Sequence, residues 1–324
     1  MKYICRKLNK TCTRNKFDER KISSPLVIYS FNRGGLGNQM FIYAQARALS
    51  IDCAELLSID DQSGFRNDFF QRRNKLNELN TSYTHKRMYF LYAFLSVCKK
   101  INSAMLTSSL ERNGFFVQKW DETFYDDSLL EKIKCVLKKK PVYLHGYWQN
   151  EKYFGHHKKR LVEELSPSDN YVYNNKILNK ITSSNSVVLH IRKNHNKSIN
   201  GEKKSSTKKL LSLNVDYYKR SIGIINARCR TPHFFCFGDD KSCFVEIFGN
   251  KKNYTIVDYN DKHKDSDIRD LSLMSLCNSF ILSNSTFCWW AAWLSKKQSK
   301  TVICPNSDKY FGCGATASDW IELK

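Results

Sequence analysis

Residues 270–295 read DLSLMSLCNSFILSNSTFCWWAAWLS. The spacing of apolar residues predicts a helix over Asp267 to Cys277, a strand over SFILSNS and a second helix from Thr286 to Leu294. Between the strand and the second helix stand Asn284, Ser285 and Thr286. Their polar side chains, with the unpaired N–H groups of a helix start, form a cradle suited to a phosphate. Trp289, Trp290 and Trp293 follow at helical spacing and suit core packing. Phe287 leaves the cradle and is placed either to pack or to stack on a base. A buried strand between two helices is the repeating unit of a parallel sheet.

The same unit recurs outward from this stretch. SVVLHIR (186–192) is a buried-type strand, VDYYKRSIGIINAR (215–228) a helix, PHFFCFGDD (232–240) a strand, Tyr254 to Val257 a short strand and TVICP (301–305) the last strand. Toward the N-terminus, a strand over Leu26 to Phe31 runs into Gly34, Gly35 and Gly37 and then into a helix, MFIYAQARALSI. Helices are expected around 86–113 and 127–138, a strand over Val142 to Gly146 ending in an aromatic loop, and a helix over Glu151 to Leu165. Strands alternate with helices in two series. The fold expected is therefore α/β, with two Rossmann-type domains whose parallel sheets face each other across a cleft. The boundaries expected are a basic arm over 1–24, one domain over 25–182 and a second over 183–324.

The chain has 324 residues, a 41% hydrophobic fraction and a formal net charge of +22. This composition is globular and excludes a disordered chain. The charge fits polyanionic company or a solvated lysine-rich surface, and does not choose between them. Twelve cysteines without a CxxC pair read as reduced thiols of a cytoplasmic protein, several of them (Cys236, Cys277, Cys288) small hydrophobes in apolar runs. No secretory leader is read in the polar start. The apolar run Met88 to Cys98 (MYFLYAFLSVC) is about half the ~20 residues that span a bilayer. Lys86, Arg87, Lys99 and Lys100 flank it. A buried helix is the expectation here; a helix lying on an anionic membrane surface is the other reading.

Four segments carry candidate chemistry. In Gly34-Gly35-Leu36-Gly37-Asn38-Gln39, glycines between strand and helix let the backbone approach a ligand and leave the helix start open to an anion. The segment is neither GxGxxG nor a Walker loop. In Leu189-His190-Ile191-Arg192, a strand end presents His190 and Arg192 on one face, and Arg192 can grip a diphosphate with two parallel hydrogen bonds. Asp239 and Asp240 end another strand, where open α/β sheets bind ligands or where Asp caps a helix. The fourth is the Asn284-Ser285-Thr286 cradle. The spacings of His, Cys and Asp match no zinc template.

GGLGNQMFIYAQARALS, HGYWQNEKYF, VVLHIRK, FFCFGDD and DLSLMSLCNSFILSNSTFCWWAAWLS occur in this order. Together they resemble the α-1,2-fucosyltransferases of glycosyltransferase family 11, over about residues 27 to 311. The resemblance implies a GT-B-like fold and inverting transfer of fucose from GDP-fucose to a glycan hydroxyl, usually O2 of galactose, without a metal or other cofactor. It implies that Arg192 clamps the diphosphate, with His190 beside it. Asp239 or Asp240 would hold guanine or ribose, Asn284, Ser285 and Thr286 the phosphates, and Phe287 the base. Gly35 and Gly37 would admit the donor, and Asn38 and Gln39 would face the cleft from the first, acceptor-side domain. Tyr147, Trp148 and Gln149 would shape the acceptor side. The family's bacterial members act in the cytoplasm on lipid-carried repeat units of surface polysaccharide. That setting gives the basic surface a role in loose peripheral attachment to anionic lipid.

One departure stands out. The family pattern His-x-Arg-Arg-Gly-Asp reads His190-Ile191-Arg192-Lys193-Asn194-His195 here. His195 stands where the family has Asp. An imidazole near its ordinary pKa of ~6.5 suits a general base, and a solvated loop residue fits the same position. The changed residues also leave room for another nucleotide-sugar donor, or for a relative that only binds its donor. A basic nucleic-acid-binding protein would fit the charge, but no helix-turn-helix, zinc-finger or RNP motif supports it, and no nucleic-acid partner is expected.

Overall fold

The computed structural model describes residues 25–118, 124–168, 171, 175–192, 213–238, 242–249, 251–258, 264–306, 317 and 319–323. The first sheet holds β1 (Val27–Phe31), β2 (Leu56–Asp60), β3 (Thr84–His85), β4 (Phe115–Val117) and β5 (Val142–His145), in the order β3-β2-β1-β5-β4. The second holds β6 (Asn185–Ile191), β7 (Pro232–Gly238), β8 (Tyr254–Ile256), β9 (Ser279–Ile281), β10 (Val302–Pro305) and β11 (Ile321–Leu323), in the order β11-β10-β9-β6-β7-β8. Every pairing is parallel. The protein thus has two parallel-sheet α/β units, the GT-B-like architecture expected.

Helices join the strands: α1 (Leu36–Cys53), α2 (Tyr89–Cys98), α3 (Ala104–Arg112), α4 (Asp127–Leu137), α5 (Lys158–Leu165), α6 (Asn175–Thr182), α7 (Val215–Arg228), α8 (Ser242–Phe248), α9 (Ser266–Ser275) and α10 (Thr286–Leu294). Each of α1 and α10 starts just beyond the C-terminal end of a central strand, β1 or β9. The two helices meet N-terminus to N-terminus, so the C-terminal edges of the two sheets turn toward each other.

Aromatic packing holds this junction. Trp289, Trp290 and Trp293 are buried, as their spacing predicted. Phe41 of α1 sits 4.7 Å from the Trp289 ring and 4.9 Å from Trp290, while Phe154 stacks on Trp290 at 5.5 Å. Each buried indole has a large apolar area and one N–H to satisfy. Trp290 Nε1 donates to the Gly37 carbonyl at 2.9 Å, and Trp293 Nε1 to Glu151 Oε1 at 2.6 Å. Lys75 adds an ion pair to Asp267 at 3.0 Å across the same junction. One core cluster runs from Ile28 and Met40 through these rings to Val188 and Phe280, joining the two sheets.

TVICP is not the last strand, since β11 follows it and pairs with β10, and three other local readings need correction. The helix expected over 151–165 opens as two 3-10 turns, Glu151–Tyr153 and Gly155–His157, before α5, because Phe154 leaves helical geometry at φ −145°. The strand expected over SFILSNS, through Ser285, stops at Ile281, and the following residues turn into α10. The third concerns α2, expected to be buried. Only Leu95 and Cys98 of this helix are buried, and Phe90 is 86% exposed. Apolar residues surround the helix, so one face covers the sheet and the rest meets solvent. Among the described residues, no helix is long and apolar enough to cross a membrane.

Candidate active site

The glycine turn after β1 carries the first part of the site. Gly34 adopts φ +81°, open to glycine at no steric cost. Gly37 is required for another reason: a Cβ there would lie 2.6 Å from the Phe287 nitrogen and 2.6 Å from the Thr286 carbonyl carbon. The start of α10 therefore presses on the start of α1. Helix N-termini carry unpaired N–H groups and about half a positive charge each. Two of them converge here, which makes the spot favourable for an anion.

Asn38 fastens the junction. Its Oδ1 accepts from Thr286 Oγ1 at 3.0 Å and from Gln149 Nε2 at 2.9 Å. Ser285 caps α10, its Oγ accepting from the Phe287 N–H at 3.4 Å. Asn284 is buried beside it. Phe287 is half-buried against the core, with its ring 6.0 Å from that of His190.

His190 and Arg192 end β6. His190 is buried and its Nδ1 lies 2.7 Å from Ser283 Oγ. Burial, and then the charge of Arg192, pull its pKa down to about 3. The ring is therefore neutral through the physiological range. Arg192 is exposed at the strand end, its charge felt by His190.

The structure also brings in residues that the sequence reading passed over. Arg33, the last side chain before the glycines, is buried. Its guanidinium lies 4.6 Å over the Tyr147 ring, with Nη1 3.3 Å from His145 Nε2. Nε and Nη2 have no hydrogen-bond partner among the described residues. Arginine only donates, so His145 Nε2 is the acceptor and the ring is the neutral Nδ1–H tautomer. Burial, reinforced by Arg33, holds the His145 pKa well below its usual value. The available signal was positional: Arg33 ends β1 much as Arg192 ends β6.

Gln39 is buried and engaged within the protein. Its Nε2 donates to the Gly34 and Arg73 carbonyls at 2.8 and 2.9 Å, and its Oε1 accepts from the Lys75 N–H at 2.8 Å. Trp148 is fully buried at φ +55°, its N–H donating to Gln118 Oε1 at 2.7 Å. Tyr147 stays partly open beside Arg33. Gly35 has open space where a Cβ would stand. Asn38, Gln149, Gly37, Thr286, Phe287 and His190 therefore form one connected group, and Arg33, Tyr147 and His145 a second. Gln39 and Trp148 lie in the supporting core. His195, Asp239 and Asp240 lie outside the described residues.

Burial pushes the thiols of Cys277 and Cys288 up to about 12 and about 11, as befits small hydrophobes. One group of metal-ligating types occurs among the described residues, Asp52 with His156 and His157. It joins the C-terminal end of α1 to a 3-10 turn, at the opposite end of α1 from Gly37.

Residues 27–324 match the family model described as Glycosyl transferase family 11. The chain is 30% identical over 282 residues to an alpha-1,2-colitosyltransferase of Escherichia coli, covering 84% of this chain and 89% of that protein. It is 28% identical over 319 residues to the O-antigen biosynthesis glycosyltransferase WbnK of Escherichia coli, covering 91% of this chain and all of that one. Among solved structures it is similar to the fucosyltransferase NodZ from Bradyrhizobium, at 11% identity and a TM-score of 0.46, covering 89% and 97% of the two chains. The chain belongs to glycosyltransferase family 11.

Proposed function

We propose that this enzyme transfers L-fucose from GDP-fucose, with inversion, to O2 of a galactose in a glycan acceptor used for surface polysaccharide. The observation that carries the proposal is the meeting of the α1 and α10 N-termini at Gly37 and Thr286, beside the β6 end that bears Arg192. A leaving diphosphate needs positive field as the C1–O bond breaks. Two helix starts and an arginine are sources of it within this chain. Family membership and the E. coli O-antigen relative support the glycan setting.

In this reading the acceptor oxygen bonds to C1 of fucose while GDP departs with the bonding electrons. The hydroxyl proton passes to a base, a role we assign to His195. Neutral His190 positions the strand end through Ser283. Ser285 and Thr286 meet the phosphates, and Asp239 or Asp240 the nucleoside. Arg33 and Tyr147 form the acceptor side.

A second donor is favoured by the colitosyltransferase relative: a nucleotide-linked colitose in place of GDP-fucose. A donor screen separates the two. GDP-fucose, GDP-mannose, UDP-galactose and nucleotide-linked colitose are each incubated with the enzyme and galactoside acceptors, and released nucleotide is measured. Turnover of GDP-fucose above the others supports the proposal; preference for the colitose donor replaces it with the second reading.

A further inference from the structure

The outer face of α2 and the start of α3 forms a surface that the catalytic reading does not use. Phe90, Ala93, Phe94 and Val97 follow one another at helical spacing, and Ile101, Ala104 and Met105 continue the run. All are exposed; Met105 reaches 82% and Val97 58%. The opposite face of α2 is committed to the first sheet. Leu95 is buried, the Tyr92 ring lies 5.4 Å from that of His145, and Ser96 Oγ lies 3.2 Å from His145 Nε2. Polar residues would normally occupy the outer face of such a helix. Here apolar side chains occupy it instead.

The exposed charges that flank this face in sequence are cations. Lys86 and Arg87 stand exposed before α2 and Lys100 after it, whereas Lys99 turns inward with its Nζ 5.6 Å from the Tyr147 ring. No Asp or Glu occurs between Glu78 and Glu111. An apolar stripe that carries no carboxylate of its own and is flanked by exposed cations is complementary to an anionic lipid surface, where the rings enter the headgroup region and the cations meet phosphates. A soluble anion would leave the stripe uncovered, and a second copy of the same cationic face would be repelled.

We infer that α2 and the start of α3 dock this enzyme onto an anionic phospholipid bilayer. The docked face lies one helix thickness from the acceptor side. His145 touches Ser96 on one hand and Arg33 on the other, and Arg33 covers Tyr147. A lipid-anchored glycan would reach Tyr147 from the membrane plane without the enzyme leaving the surface. That last step rests on the proposed acceptor; the docking does not.

The test is sedimentation of the full chain with vesicles of phosphatidylethanolamine and phosphatidylglycerol, and separately of phosphatidylcholine alone, at low and at 0.5 M salt. The native chain is expected to pellet with the anionic vesicles and to be released by salt. A Phe90→Ser/Phe94→Ser/Met105→Ser variant is expected to lose about tenfold or more in partitioning, while keeping its melting temperature because these side chains are exposed. Lys86→Glu/Arg87→Glu is expected to lose binding to the anionic vesicles as well. Absence of pelleting by the native chain at low salt overturns the inference. So does undiminished pelleting of the triple serine variant, which would assign binding to diffuse charge elsewhere. A native dimer in sedimentation velocity that the serine variant turns into a monomer would replace the bilayer with a second copy.

Discussion

Thr286 donates a 3.0 Å hydrogen bond to Asn38, joining the first turn of α10 to the first turn of α1 across 248 residues of sequence. The bond spans the junction between the two sheets at the point where the two helix starts press together. The domain contact and the anion-favouring field are therefore one piece of structure. Changes that loosen the contact are expected to remove activity as well.

Gly37 and Gly35 give a matched pair. Alanine at 37 must push its Cβ into the backbone of Thr286 and Phe287, both at 2.6 Å. Overpacking of this kind costs about 1–3 kcal/mol, and backbone yields less readily than side chains. Gly37→Ala is expected to lower the melting temperature and to abolish transfer. Gly35→Ala meets nothing within 4 Å, and φ there is −71°. It is expected to melt like the native chain; equal destabilisation of the two variants would contradict the packing described here.

Arg33 is expected to act on the acceptor. Arg33→Ala removes a buried cation that lies over the Tyr147 ring and donates to His145. We expect kcat/KM for the acceptor to fall ~10- to 100-fold, the range of one charge-assisted hydrogen bond. GDP affinity, measured by calorimetry, is expected to change less than twofold. A loss of GDP affinity instead would move Arg33 to the donor.

Glu164 sets the acid stability. Its carboxylate accepts from Tyr43 at 2.6 Å, from Arg47 through two nitrogens and from Arg160 at 2.6 Å, tying α1 to α5. Burial raises its pKa, but the hydrogen bonds of Arg47, Tyr43 and Arg160 outweigh this and hold it below the usual value. A depressed carboxyl pKa gives stability that is present above the unfolded value of ~4.3 and is lost as pH falls through the folded value. Glu164→Ala is expected to cost ~2–3 kcal/mol at neutral pH, since it removes the charged hydrogen-bond partner of Tyr43 and of the half-buried Arg47. Denaturant titration at pH 7 and pH 3 checks both statements: the gap between native and variant should shrink at pH 3.

His190 acts with the same sign in a higher pH window. In the unfolded chain it binds a proton near pH ~6.5, whereas in the folded chain it does not until about pH 3. Stability contributed by the neutral ring therefore declines as pH falls below ~6.5. His190→Gln is expected to flatten the stability curve between pH 6.5 and 4. The pH–rate profile should keep its limbs, with kcat lowered. Loss of the acid limb in His190→Gln would make His190 the proton acceptor.

The sequence carried the sheet-forming segments well where buried β-rich runs stood between clear stops, as at SVVLHIR and TVICP. It concealed β2 because α1 ends on Ala54 at φ +55°. Glycine or asparagine would have marked that left-handed stop. Periodicity showed which residues of α2 share a face but not which face meets the sheet, since nearly all of them are apolar. In the site, glycine spacing and the Asn284-Ser285-Thr286 turn pointed to both helix starts. Their contact could not be read, because Gly37 and Thr286 lie 249 positions apart. Arg33 and His145 were passed over for the same reason: each is ordinary alone and becomes informative only where β1 and β5 pair.

The central claim is that protein groups, Arg192 foremost, stabilise the departing diphosphate of GDP-fucose. The most direct measurement is GDP release from GDP-fucose in excess EDTA with a galactoside acceptor, for the native chain and Arg192→Ala. Release that survives EDTA and falls by ~100-fold or more in the variant is the result expected from the loss of one preorganised charge. Release that stops in EDTA, or proceeds unchanged in Arg192→Ala, would contradict it.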